Sequence, residues 1–328
     1  MYLARRGHMG PDGIEPRIVV TDDPSRGWVD VRRWQALTLE RKGAAREGAR
    51  RVAAALVPSS MSAALSAGEA FLEAARAAAL KGEPQPIDES EFLAALDPTG
   101  YRDFMTFEGH FSYGYKWQGL PVPAVMYQLP ISYFGNPLAF YGPNDEVPWP
   151  HYSKRLDYEL ELGIVIGRPG RDLTPESALD HVVGYTILND CSARDIQQRE
   201  MKGGLGPSKG KHFACVAGPY LTTPDSLPIS GMKMRARVNG ETWCEATSAE
   251  MMWSVAEVVA WASQAESLEP GMLLGSGTCN GGCTLEIERE LAPGDLVELE
   301  IEGLGRTHNR YGIPVPSGWW PQAKSPSA

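Results

Sequence analysis

The chain has 328 residues, 43% of them hydrophobic, enough for one large core or a large domain with a small attachment. Lys and Arg number 31 against 41 Asp and Glu, for a formal net charge of -10 and a pI near 5.2, which argues against a nucleic-acid partner because such binding rests on neutralising phosphates. No apolar run approaches the roughly 18 residues of a membrane span, residues 1–8 lack the apolar core of a signal peptide, and Cys191, Cys215, Cys244, Cys279 and Cys283 show no disulfide-framework spacing, so a cytoplasmic protein without a membrane partner is expected.

Residues 1–95 read as a smaller N-terminal region of mixed strand and helix. Arg17-Ile18-Val19-Val20 is strand-like, the Ala- and Arg-rich stretches 43–56 and 61–81 read as amphipathic helices, the second ending near Gly82, and Pro84-Gln85-Pro86 marks a linker. Residues 96–320 are richer in Gly, Pro and aromatics and read as a second, larger domain. Within it, 156–167 predicts a strand on which Glu159 and Glu161 share one face while Leu160, Leu162, Ile164 and Ile166 take the other. Two adjacent carboxylates repel unless something cationic lies between them. Asp190 follows in Asn189-Asp190-Cys191-Ser192, where an apolar strand runs into a helix start, and Ser192 and Asp195 read as capping residues. Three carboxylates supply oxygen ligands for a hard divalent cation, a kind of site that leaves positions open for substrate.

Further along, 202–211 is a Gly-rich loop with three lysines that lacks the ending of a phosphate-binding P-loop. Asn239-Gly240 after 232–238 signals a hairpin, 248–264 predicts one helix with Met252, Val255, Val258 and Val259 on its apolar stripe, and 294–302 predicts an alternating strand whose Glu residues face solvent. Cys279-x-x-x-Cys283 has no second pair and no nearby His in sequence, so it reads as ordinary thiols. Residues 321–328 read as a frayed tail.

Asn189-Asp190-x-Ser192-Ala193-Arg194-Asp195-Ile196-Gln197, preceded by Asp157-Tyr158-Glu159-Leu160-Glu161 and followed by Gly275-Ser276-Gly277-Thr278, resembles the signature of the fumarylacetoacetate hydrolase family over roughly 103–312. The resemblance implies an α+β, mainly β, fold with a β-roll catalytic domain. It implies a divalent metal, Mg²⁺ first with Mn²⁺ or Ca²⁺ as alternatives, held by Asp103, Glu159, Glu161 and Asp190. It assigns His110, seven residues after Asp103, as the catalytic base, Glu286 as its partner, and Arg194, Gln197 and Lys211 as contacts to substrate oxygens. Tyr133, Gly277 and Thr278 would line the substrate pocket with Met105, which stands where longer members often carry a Tyr and so implies a less polar contact. The implied reaction is hydrolytic carbon–carbon cleavage of a small anionic 1,3-dicarbonyl or acylpyruvate-like acid through an enolate. Decarboxylation, hydration or isomerisation of a 2-oxo acid, or binding without catalysis, are the alternatives, and a homodimer is the expected assembly.

Overall fold

The computed structural model describes residues 1–10, 13–227, 229–316 and 318–325. The strand signal at 17–20 belongs to a longer element, Gly13–Thr21, paired antiparallel along its length with Tyr2–Gly10. That partner strand escapes the sequence because Arg5, Arg6 and His8 interrupt its apolar alternation. Tyr2 and Leu3 then pair with Thr222 and Leu221 of the strand Cys215–Thr222. The N-terminal hairpin is therefore hydrogen-bonded into the same sheet as strands of residues 96–320.

That sheet has ten strands. Its path runs Val29–Asp30, Gly13–Thr21, Tyr2–Gly10, Cys215–Thr222, Val182–Asn189, Leu160–Ile166, Met272–Gly275, Gly100–Phe104, Ser132–Phe134, with Phe140–Tyr141 alongside Cys215–Thr222. Overall the fold is mixed α/β with about 31% strand and 28% helix, built on this large sheet. Both faces of Leu160–Ile166 are buried. Leu160, Leu162, Ile164 and Ile166 pack with Met234, Ala236, Leu299 and Ile301, while Val165 packs with Leu3, Val20 and Phe71. The period of two thus sends Glu161 to the second face, towards the N-terminal layer rather than towards solvent.

The N-terminal layer has four helices, Val31–Arg41, Arg46–Leu56, Met61–Leu65 and Glu69–Lys81. The first was not predicted, although Asp30 caps it by accepting from Arg33 N. The single helix expected over 61–81 is interrupted at Gly68, whose φ of 61° suits glycine. A four-stranded sheet, Glu241–Thr247, Lys233–Val238, Leu296–Ile301, Gly305–Arg310, covers the opposite side of the core. Its predicted hairpin turns at Asn239 and Gly240, with φ of 50° and 83°, positive at both central positions as a two-residue turn requires.

Four further expectations differ. The strand expected over 156–167 is two strands, Leu156–Asp157 and Leu160–Ile166, with Glu159 bridged to Cys283 between them. The helix expected over 248–264 shortens to Val255–Ala262, because Ser254 and Glu257 form a capping box that starts it there. Glu298 and Glu300 are half-buried and paired rather than simply solvated: Arg237 donates to Glu300 at 2.9 Å, and His308 lies 3.4 Å from Glu298. Neither Ser192 nor Asp195 caps the helix Arg194–Met201. Ser192 donates to Asp190 O, and Asp195 accepts from Ser153 Oγ and Lys154 N, tying a neighbouring loop to the helix. Residues 321–325 are exposed and without regular structure, and 326–328 lie outside the described residues.

Candidate active site

Four carboxylates meet where the central strands end. Asp103 lies near the end of Gly100–Phe104, Glu161 near the start of Leu160–Ile166, Glu159 just before it and Asp190 just after Val182–Asn189. All four are buried, and each offers an oxygen within 4.8 Å of the others. Gly275 opens the floor beneath them, opposite Asp103 on one side and Gly163 on the other. A Cβ at Gly275 would stand 2.7 Å from Glu161 Oε2 and collide with Asp103 Oδ1.

Two cations lie on one side of this cluster. Lys211 Nζ donates at 2.6 Å to both Glu159 Oε2 and Asp190 Oδ2. Arg194 reaches Asp157 Oδ2 through Nε and Glu159 Oε1 through Nη1, each at 2.7 Å. On the other side, Asp103 Oδ1 and Glu161 Oε1 are buried without a hydrogen-bond partner among the described residues. Burial, then the charge of Asp190, pushes the Asp103 carboxyl well above the usual range, and burial, then Asp103, does the same to Glu161. Asp190 is also raised by burial, against the pull of Lys211. Glu159 moves the other way: burial would raise it, but Lys211, Arg194 and His110 hold it below the ordinary value. Burial opposes the charge on Lys211, yet Asp190 and Glu159 leave its ammonium more firmly protonated than usual.

A buried all-oxygen donor set with two orphaned carboxylate oxygens and a floor kept open by glycine fits a hard divalent cation. Asp103, Glu159, Glu161 and Asp190 are the residues that would hold it.

The helix Glu108–Trp117, absent from the sequence expectations, carries His110 to the edge of the cluster. His110 Nδ1 is 2.8 Å from Glu286 Oε2, and Nε2 faces Glu159 Oε1 at 4.0 Å. Glu286 is held in turn by Gly281 N–H at Oε1 and the Cys283 thiol at Oε2. Burial would raise its carboxyl, but the bond and charge of His110 keep it below the usual range. The ring is therefore oriented, with Nδ1 on a carboxylate and Nε2 aimed at the centre.

Of the other predicted residues, Tyr133 donates to Asp190 Oδ2 at 2.6 Å, Gln197 accepts from Arg194 Nη1 at 3.1 Å, and Gly277 N–H donates to Glu161 Oε2 at 3.1 Å. Thr278 is buried, its hydroxyl unpartnered among the described residues. Met105 is half-buried, its N–H donating to Ile131 O.

Sequence reading missed four supporting residues. Asp157 accepts from Arg194 and from the amides of Thr284 and Leu285, joining the arginine to the segment that carries Glu286. Its signal was present, since it stands two residues before Glu159. Asn189 Oδ1 accepts from Glu159 N and fixes that residue's backbone. Glu200 takes the amides of Ser208, Lys209 and Gly210 at 2.8 to 3.0 Å, clamping the loop that ends in Lys211. It lies one turn beyond Gln197 on the helix that begins with Arg194. Cys283 stood out only as half of Cys279-x-x-x-Cys283 and reads there as an ordinary thiol, because His110 is far away along the chain.

Comparison with known proteins follows this geometry. The chain is 35% identical over 260 residues to human "Oxaloacetate tautomerase FAHD2A, mitochondrial", covering 77% of this chain and 80% of the relative. Its fold is similar to a fumarylacetoacetate hydrolase from Exiguobacterium antarcticum, with a TM-score of 0.69 and 24% identity over 95% of this chain and 99% of that one. A maleylpyruvate hydrolase from Sphingobium has a TM-score of 0.65 and 20% identity over 95% and 99% of the two chains. Residues 101–311 match the model of the fumarylacetoacetate (FAA) hydrolase C-terminal domain, a family whose members include hydrolases, isomerases and a tautomerase, and the chain belongs to that family.

Proposed function

We propose that this protein is a divalent-metal-dependent hydrolase that cleaves a carbon–carbon bond in a small anionic 1,3-dicarbonyl or acylpyruvate-like acid. The observation that carries the proposal is the His110–Glu286 pair, with Nε2 aimed at a buried carboxylate centre. Mg²⁺ is the ion that best suits four oxygen ligands and a requirement for open positions. Such an ion supplies Lewis acidity towards the substrate's oxygens.

The residues supply the rest. His110 Nε2 takes a proton from water, and Glu286 stabilises the resulting imidazolium at Nδ1. Hydroxide adds to the carbonyl carbon, the bond to the neighbouring carbon breaks, and the departing carbon leaves as an enolate that is then protonated. Arg194, with Gln197 on its guanidinium, and Lys211 supply donors where oxyanion charge develops. They also serve the substrate's carboxylate, which meets a chain of formal net charge -10 and must be neutralised locally. Tyr133 and the half-buried Met105 are assigned to the pocket wall.

A second reading is tautomerisation of a 2-oxo acid, favoured by the relative named an oxaloacetate tautomerase. The same dyad would then move a proton at carbon instead of activating water. Incubation in H₂¹⁸O separates the two: hydrolysis gives two fragments, one with ¹⁸O in its new carboxylate, and tautomerisation gives one product of unchanged mass formula.

For the compartment, all five cysteines are free and buried, as a reducing cytoplasm allows, and among the described residues no helix is long and apolar enough to cross a membrane. A homodimer remains the assembly we propose.

A further inference from the structure

Cys279-x-x-x-Cys283 lacks a histidine partner in sequence, but the fold supplies one. Cys283 Sγ stands 3.9 Å from His110 Nδ1 and 3.3 Å from Glu286 Oε2, and those two atoms are 2.8 Å apart. Imidazole, thiol and carboxylate thus form one triangle. Around a tetrahedral Zn²⁺ with ordinary bond lengths, N, S and O ligand atoms stand roughly 3.3–3.6 Å from one another. The His–Glu edge must open by about 0.5 Å and the Cys–His edge close by about 0.3 Å on that geometry.

We propose that His110 Nδ1, Cys283 Sγ and Glu286 Oε2 form a second metal site, taking one thiophilic divalent ion of the Zn²⁺ type, beside the four-carboxylate centre and selective against Mg²⁺. Ligand softness separates the two sites. Asp103, Glu159, Glu161 and Asp190 offer oxygen alone and suit Mg²⁺, Mn²⁺ or Ca²⁺, whereas a thiolate and an imidazole suit Zn²⁺ and its neighbours. Three protein ligands leave the fourth tetrahedral position for water, as in catalytic rather than structural zinc sites. The His110 side chain, 15% exposed, gives a route in, while Cys283 itself is buried.

Binding balances without electron transfer. The Cys283 S–H bond breaks, the sulfur–metal bond forms and the proton leaves to solvent, while the imidazole proton moves from Nδ1 to Nε2. An occupied site takes Nδ1 and Glu286 away from each other. Ions of this type therefore inhibit an enzyme that Mg²⁺ supports.

The test uses Co²⁺ added anaerobically to the full-length protein in saturating Mg²⁺, read by absorption and not by turnover, so that it stands even if the reaction assigned above is wrong. The expected result is a thiolate-to-cobalt charge-transfer band that saturates at one equivalent and is lost in Cys283→Ser. Glu286→Gln, which leaves the thiol in place, is expected to keep the band and weaken Co²⁺ binding tenfold or more. Bound Co²⁺ without a thiolate band would overturn the proposal. So would a band that survives Cys283→Ser and vanishes in Cys215→Ser, since Cys215 Sγ lies 3.4 Å from Asp190 Oδ1 and would then be the thiol involved. Unchanged Co²⁺ affinity in Glu286→Gln would remove the carboxylate from the site.

Discussion

In the proposed mechanism His110 and the four clustered carboxylates do separable jobs, so their variants should fail differently. His110→Ala is expected to lower kcat by about 10²–10⁴-fold, the usual contribution of a positioned proton-transfer group, with Mn²⁺ affinity at the four-carboxylate centre kept because His110 lies outside that set. Steady-state kinetics beside Mn²⁺ titration followed by electron paramagnetic resonance reads both, and lost Mn²⁺ binding would make His110 a ligand of the carboxylate centre. Lys211 presents the opposite case. It is buried between Glu159 and Asp190, and Lys211→Met leaves two buried carboxylates without their shared cation. Breaking one side of a buried pair costs about 3–5 kcal/mol, so urea unfolding of the metal-free variant should show a loss of that order. The donor set was readable from the chain because carboxylates two residues apart on a strand must share a face, whereas Cys283 and Glu286 meet His110 only across more than 170 residues.

At the scale of elements, one helix organises the cationic side of the site. Arg194–Met201 begins with Arg194, carries Gln197 and ends beside Glu200, whose carboxylate grips three successive amides ahead of Lys211. Gly210 must pass so close to this helix that a Cβ would lie 2.7 Å from both Cα and N of Gln197. Glu200→Ala should therefore loosen the loop without touching the carboxylates. Charge-assisted hydrogen bonds are worth roughly 1.5–3 kcal/mol each, so a fall in kcat/KM of about tenfold or more is expected, with faster limited proteolysis within 202–208. Unchanged proteolysis would show that Glu200 does not hold the loop. Strands with clean alternation, such as Leu160–Ile166 and Leu296–Ile301, were legible, and so was the Asn239-Gly240 turn. Val31–Arg41 and Glu108–Trp117 were not: Arg32 and Arg33 crowd the first turn of the first, whose Trp34 packs on the core, and aromatics and glycines dilute the second. The break at Gly68 needed a backbone angle that a helical stripe does not encode.

For the whole molecule, an ion held by the carboxylate cluster would couple binding to stability. Asp103 and Glu161 have folded-state pKa values raised well above the ordinary range. In the metal-free protein the contribution of these two groups to stability is therefore fully present below the ordinary carboxylate pKa and is lost as pH rises through the raised values. A divalent ion replaces the protons, so its stabilising effect must grow with pH. At a free Mg²⁺ concentration of 100 times Kd the gain is about 2.7 kcal/mol. Thermal unfolding with and without Mg²⁺ should show a Tm difference that widens from acid towards neutral pH, and an equal difference throughout would contradict the linkage. The joining of residues 1–95 to the large sheet also belongs to this scale. Composition and the Pro84-Gln85-Pro86 segment suggested two parts, but strand pairing between residues more than 200 apart, as in Tyr2 with Thr222, leaves no local mark.

The most direct test is turnover of metal-stripped protein on a panel of acylpyruvates and 3,5-dioxo acids, with Mg²⁺ restored, following loss of the enol absorbance and identifying products by mass. The account predicts Mg²⁺-dependent loss of a panel member into two fragments, abolished in His110→Ala. A single unfragmented product across the panel, or cleavage that persists in His110→Ala, would contradict it.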